Sequence, residues 1–339
     1  MRAIGYRKPS PELDHLEAFD IPRPTPEGRD LLVEVRAVSV NPVDYKVASG
    51  GGPGGAASDA DAIKVVGYDA SGVVVETGRE TSLFKLGDEV FYAGSIGREG
   101  ADAEFHLVDE RIVGRKPRTL DFAAAAALPL TAITAWEAMF DRLDVAKAVP
   151  GAARAILILG GAGGVGSVAI QLARRLTDLT VVTTASRPES ERWAKDMGAH
   201  HVIDHRKPLA PQVGALELGA PSFVFATVPA GGVFADLAEL IAPQGRIALI
   251  NGESADVSPL MRKSVSVHYE LMFTRPLFQT ADIEAQHRLL NEVADLLDSG
   301  RLRSTMTENY GRIDPANLMR AHAFLKTGRA IGKVVLAGF

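Results

Sequence analysis

The chain has 339 residues, 46% hydrophobic and 23% charged, which excludes wholesale disorder and suits two domains. A formal net charge of -5 gives no basic footprint, so no nucleic-acid partner is expected. The absence of cysteine removes disulfides, thiol nucleophiles, cysteine-ligated zinc and iron–sulfur clusters together.

In chain order, Met1-Arg-Ala-Ile-Gly-Tyr-Arg-Lys8 lacks the apolar core of a secretory signal, so the cytoplasm is the expected location. Pro22, Pro24 and Pro26 stiffen the lead-in to Leu31-Leu-Val-Glu-Val-Arg-Ala-Val-Ser-Val40, whose apolar–polar alternation predicts a half-buried strand. Short strands are expected at 73–75, 89–92 and 104–108, and such spacing suggests a small barrel or sandwich. Between them, residues 50–57 read Gly-Gly-Gly-Pro-Gly-Gly-Ala-Ala, either a surface loop or the rim of a substrate mouth.

The pattern changes near Asp121. Residues 122–128 are helix-prone, Pro129 is expected to interrupt, and helical character resumes over 131–140. Strands at 155–159, 180–184, 201–203, 223–226 and 246–250 then alternate with helices at 166–176, 189–197 and 234–241. That alternation predicts an α/β domain with a doubly wound parallel sheet. The uncharged stretch 155–173 has the length of a membrane span, but its five glycines argue against one, and no membrane partner is expected. A helix at 284–297, stopped by Gly300, and a terminal strand Gly332-Lys-Val-Val-Leu336 follow. The terminal strand is expected to rejoin the first domain. Domain limits are therefore placed at 1–123 with 275–339, and 124–274.

The most specific local signal is Ile156-Leu-Ile-Leu-Gly-Gly161-Ala162-Gly163-Gly164-Val165-Gly166. Glycines 161, 163 and 166 follow an apolar strand and open an amphipathic helix, the context a dinucleotide fingerprint requires. Backbone amides at the helix start can then meet a pyrophosphate, helped by the helix dipole. About twenty residues on, a carboxylate would grip the ribose of NAD. Here stand Ser186 and Arg187, with Arg192 and His205 as further contacts, and a guanidinium beside a hydroxyl suits a 2′-phosphate. NADPH is the expected cofactor.

The succession Asn41-Pro-Val-Asp-Tyr-Lys46, Gly67-Tyr-Asp-Ala-Ser-Gly72, Gly87-Asp-Glu-Val90, Ala127-Leu-Pro-Leu-Thr131, the glycine turn, Gly198-Ala-His-His-Val-Ile-Asp204-His205, Gly245-Arg-Ile-Ala and Gly332-Lys-Val-Val-Leu336 resembles the medium-chain dehydrogenase/reductase superfamily over nearly the full length. It is most similar to the zinc-free quinone oxidoreductase branch, including the zinc-type alcohol dehydrogenase-like subgroup. The resemblance implies a GroES-like β-barrel domain built from both chain ends, with a Rossmann domain between.

Zinc-using members place ligands at three positions that here hold Asp44, Tyr68-Asp69 and Leu130-Thr131, so no metal ligand is assigned. Without a Lewis acid, oxidising a simple alcohol needs a strong organised base, and no tyrosine here has lysine four residues on. Reducing a quinone or enone needs only hydrogen bonds aimed at the oxygen that gains charge. The resemblance points to Asn41 and Thr131 near nicotinamide and substrate. Lys46, with Tyr45 as its neighbouring alternative, and Tyr68 are the other candidate donors. Asn251, Gly252 and Lys333 are candidate cofactor contacts.

The expected activity is NADPH-dependent reduction of a small electrophile, a quinone or an enone, by metal-free hydride transfer. A zinc-type alcohol or carbonyl dehydrogenase with an unconventional site is one rival; a catalytically silent NADPH-binding sensor is another. By analogy with the family, a homo-oligomer is expected, with a dimer favoured.

Overall fold

The computed structural model describes residues 1–12, 15–51, 62–252 and 256–339. Positions 52–57 of the glycine-rich stretch lie outside the described residues. Contacts divide the chain into two compact units, Met1–Ile133 with Phe273–Phe339, and Thr134–Met272.

The first unit is organised by the strand Asp30–Ser39, nearly every residue of which is buried or half-buried. It pairs antiparallel with Ala70–Thr77 along its length, with Phe105–Asp109 over its first half, and with Lys333–Ala337 at its end. The terminal strand thus rejoins the first domain. Glu89–Tyr92 and Val113–Arg115 extend the sheet on one side, and Met306–Asn309 pairs parallel with Lys333–Ala337 on the other. A second sheet places Arg2–Tyr6 between Glu17–Asp20 and Lys64–Val65. Leu31, Val33, Val74, Tyr92, Val334 and Leu336 share one apolar core.

Small side chains account for the boundary at 133 rather than 123. The helix Phe122–Ala126 packs Ala123 and Ala126 against Ala37 and Val335, and only methyl groups would let its backbone come so near the sheet. The expected interruption is present, at Ala127 and Leu128 just before Pro129. The proline opens the next helix, Pro129–Trp136, at a position where a missing N–H is harmless. The following turn, Glu137–Arg142, widens to π-helical form.

The second unit is a six-stranded parallel sheet in the order His201–Ile203, Thr180–Thr184, Ala153–Leu159, Pro221–Ala226, Arg246–Leu249, Ser266–Tyr269. The strand first in sequence lies third in this row, so the order reverses between it and Pro221–Ala226, the doubly wound pattern. All six residues of Pro221–Ala226 are buried, which requires cover on both faces of the sheet. The uncharged stretch is a strand, a turn and the helix Gly164–Leu176, not a span.

One histidine couples the fold to pH. His322, on the helix Pro315–Lys326, is fully buried, and neither ring nitrogen has a partner. Burial, reinforced by nearby His15, lowers its pKa to about 4. An unfolded histidine keeps a value of about 6.5. Between these values the unfolded chain binds the extra proton, so stability falls as pH drops from about 6.5 towards 4. His322→Leu should flatten the fall in melting temperature between pH 7 and pH 5, read by scanning calorimetry against wild type.

Candidate functional site

In the second unit the glycine turn is shaped by close approaches. The left-handed residue of the turn is Gly160, whose φ is +80°. At Gly161 a Cβ would lie 2.0 Å from Thr183 Oγ1, so only glycine lets the turn pack on the neighbouring strand. At Gly166 it would lie 2.2 Å from Gly160 O, which fixes the contact between helix and turn. Gly163 is the N-cap, and no side chain caps the helix start; its first turn holds no acidic residue. The Gly163 N–H donates to Gly160 O at 3.1 Å, so the amides of Ala162, Gly164 and Val165 are the ones suited to an anion, with Arg174 and Arg175 at the far end of the helix.

Thr184 Oγ1 accepts the Gly160 N–H at 2.9 Å, tying the turn to the end of the next strand. Thr184 also pairs with Ile203, so the segments bearing Ser186, Arg187 and His205 emerge side by side. Ser186 and Arg187 are half-buried, and the Arg187 guanidinium lies 3.4 Å from Glu189. Arg192 and His205 are exposed. Leu249 pairs with Ala226 and Ala226 with Leu159, so Asn251 and Gly252 leave the sheet at the same edge as the glycine turn. These residues fit a dinucleotide.

In the first unit a buried polar cluster forms around Lys333. Its ammonium donates to Val40 O at 2.8 Å, Asn41 Oδ1 at 2.5 Å and Asp69 Oδ2 at 3.1 Å. All three protons are taken by protein oxygens, which leaves none for a cofactor and corrects the expectation for Lys333. The Asn41 amide donates to Asp69 Oδ2 at 2.9 Å, and Asp69 Oδ1 accepts the Leu130 N–H at 2.8 Å. Asn41 thus joins three elements and is bound up in the cluster rather than turned to a ligand. Burial pushes the Asp69 carboxyl upward, against the pull of Lys333, Asn41 and the Leu130 amide.

Asn41 also begins the helix Pro42–Ala48, with extended backbone and proline next, and its N–H donates to Asp44 Oδ2 at 2.6 Å. Burial raises the Asp44 carboxyl to about 7, although the Asn41 and Tyr68 amides and Lys333 oppose it. Tyr68 is buried edge-on against Phe273, with ring centroids 5.4 Å apart, and its hydroxyl has no partner. Burial raises that phenol well above its ordinary value. Thr131 is buried and donates to Leu128 O at 2.9 Å, keeping its oxygen lone pairs. Tyr45 is half-buried against the core, and Lys46 is exposed on the last turn of the helix. The cluster thus brings together Asn41, Tyr68 and Lys333 with Asp44 and Asp69, which sequence reading placed only as occupants of lost zinc positions.

Two family models match, an alcohol dehydrogenase GroES-like domain over residues 27–118 and a zinc-binding dehydrogenase over residues 197–336. A zinc-type alcohol dehydrogenase-like protein of Staphylococcus aureus is 38% identical over 99% of both chains. The chain belongs to the medium-chain dehydrogenase/reductase superfamily. Within it, a 2-methylene-furan-3-one reductase of Solanum lycopersicum is 30% identical, covering 90% of this chain and 71% of its own. A Rhizobium etli structure, provisionally named a zinc-dependent alcohol dehydrogenase, is 60% identical with a TM-score of 0.96, covering 100% of this chain and 98% of its own. The quinone oxidoreductase of Coxiella burnetii superposes with a TM-score of 0.81 at 26% identity, over 100% and 99% of the two chains. The GroES-like unit and the Rossmann unit are those of this superfamily of oxidoreductases.

Several of these names carry zinc, and the donor set does not fit one. The chain has no cysteine, and among the described residues no three histidine or acidic side chains gather. Asp69 already holds an ammonium, an amide and a backbone N–H. The position therefore carries a built-in cation. Removing it should be costly: Lys333→Met leaves a carboxyl in a dry cluster and should destabilise by about 3–5 kcal/mol in urea unfolding. Adding Asp69→Asn should return part of that loss.

Proposed function

We propose that this protein is an NADPH-dependent reductase of quinones or α,β-unsaturated carbonyls that works by metal-free hydride transfer. The observation that carries the reading is the buried, unpartnered hydroxyl of Tyr68, whose backbone carbonyl accepts from the Asn41 amide of the Lys333 cluster. A lone O–H donor in a dry setting suits an oxygen that becomes negative only during reaction. The amides of Ala162, Gly164 and Val165 would hold the pyrophosphate, Ser186 and Arg187 the 2′-phosphate, and Asn251 and Gly252 the nicotinamide half. When bound, the reduced cofactor supplies a hydride.

The chain's own residues then act on the substrate. Tyr68 donates to its oxygen, Lys46 is the further donor with Tyr45 beside it, Thr131 offers its lone pairs as an acceptor on the nicotinamide side, and Asn41 with Lys333 hold the backbone at Tyr68 and Asp69 in place. A named enone reductase and a named quinone oxidoreductase among the relatives support the substrate class. The chemistry needs neither thiol nor metal, in keeping with a chain that has no cysteine. A cytoplasmic homodimer is the associated proposal, and sedimentation velocity tests the dimer.

Stopped-flow oxidation of NADPH against quinones, enones, aldehydes and ketones tests the activity. Turnover of the first two classes without the last two is the expected result; turnover confined to simple ketones with added zinc would overturn it. Arg187→Ala should raise KM for NADPH roughly tenfold or more while leaving NADH little changed, the loss of one charge-assisted contact.

A further inference from the structure

The second unit holds a cavity of about 510 Å³ at the edge of its sheet away from the glycine turn. Arg246 and Ser266 line it, and each is the first residue of its strand. The glycine turn follows the last residue of Ala153–Leu159 in the same parallel sheet, so the two sites lie at opposite ends of the strands.

Three cations, Arg142, Lys147 and Arg246, line this cavity against one carboxylate, Asp144. Arg246 is spent on structure. Its guanidinium donates to the carbonyls of Leu143, Asp144 and Lys147, which holds the chain after the π-helical turn, and it lies over the Phe223 ring. Arg142 is not spent. Its Nε donates to Glu270 Oε2 at 2.8 Å, and among the described residues its terminal nitrogens make no hydrogen bond. Burial, with Glu137 adding to it, pushes the Glu270 carboxyl upward, so it cancels less of the guanidinium charge than an ordinary carboxylate would. Lys147 is exposed, and its ammonium has no partner among the described residues.

His268 adds a buried ring nitrogen, Nε2, that bonds nothing. Burial holds its pKa down, and repulsion by Arg142 and Arg246 adds to that. The rim is bent to shape. Asp144, Gln244 and Ser264 have φ of +43°, +63° and +51°, and they are three of the five non-glycine residues with left-handed backbone among the described residues. Such conformations are costly and persist where the surroundings hold them, as they do at ligand sites. Ser264 and Ser266 bring hydroxyls to the cavity, and residues 148–150 give it an apolar side.

We propose that this cavity is a second ligand site and that it takes a small phosphate monoester. The phosphate oxygens accept from the Arg142 terminal nitrogens, the Lys147 ammonium and protonated His268, with the two serines as further donors. Five donor groups line the cavity, and a phosphate offers them three oxygens where a carboxylate offers two. The volume falls within the about 300–1,000 Å³ usual for small-molecule sites, which leaves room for an organic part along Ala148 to Pro150. The site stands apart from the dinucleotide and from the reductase reading.

Calorimetric titration of glycerol 3-phosphate into the full chain tests it, with glycerol and acetate as comparison solutes. Wild type should bind glycerol 3-phosphate with a Kd below about 1 mM. Lys147→Gln and His268→Gln should each weaken binding about tenfold, the loss of one charge-assisted bond, and Arg187→Ala should leave it unchanged. No heat in wild type overturns the site, as does unchanged affinity in both Lys147→Gln and His268→Gln. Loss confined to Arg187→Ala also overturns it, because the phosphate would then sit with the dinucleotide. Acetate bound as tightly as glycerol 3-phosphate reduces the cavity to general attraction of counterions and overturns the phosphate assignment.

A second readout uses wild type alone. Followed by NMR, His268 should take up its proton at higher pH when glycerol 3-phosphate is present, since a bound anion opposes Arg142 and Arg246. A His268 titration that the ligand leaves in place overturns the proposal, even if neither variant folds.

Discussion

A buried ammonium must find its full set of acceptors, and that requirement organises the first unit. Lys333 meets it with a backbone carbonyl, an amide oxygen and a carboxylate supplied by Val40, Asn41 and Asp69. Those acceptors come from the end of the central strand, the start of a helix and the loop before the next strand. Satisfying one charge therefore sets the relative placement of three elements. Such a pair adds little net stability over an apolar equivalent, but breaking it is severe, which makes it a device of geometry more than of strength. Tyr68 and Asp44 inherit their positions from this frame.

The second unit solves the opposite problem, how to leave polar groups open. At residues 160–166 the chain comes so close to itself that side chains are forbidden at Gly161 and Gly166. The same closeness leaves the helix start without a side-chain cap. Open amides beside solvent are inexpensive, whereas the open hydroxyl and carboxyl at Tyr68 and Asp44 are deeply buried.

Local features were legible in the sequence. Thr180–Thr184, His201–Ile203 and Glu89–Tyr92 are β-branched or aromatic runs bounded by turn residues, and their limits follow from that pattern. The glycine turn was legible because its spacing has one geometric cause. Features with distant causes were not. Lys333 and Asp69 are 264 positions apart, so nothing near either residue announces the pair. Asn41-Pro42 carried no helix expectation and proved to be a helix start, since proline suits a turn as well as the first helical position. The helix Pro315–Lys326 escaped notice although Asp314 caps it by accepting the Asn317 N–H, a local signal that was readable. The π-helical turn at Glu137–Arg142 follows from no spacing, because the apolar pattern runs through it unchanged.

The path of the chain has a consequence for how the protein is made. The second unit is one uninterrupted segment, Thr134–Met272, whose neighbouring strands are mostly close in sequence. The first unit is closed by Lys333–Ala337 lying along Asp30–Ser39. On a ribosome, the early strands wait with Asp44 and Asp69 lacking their cation while the nucleotide-binding segment emerges and folds. The strand Lys333–Ala337, synthesised after that segment, then brings the missing charge to Asp69.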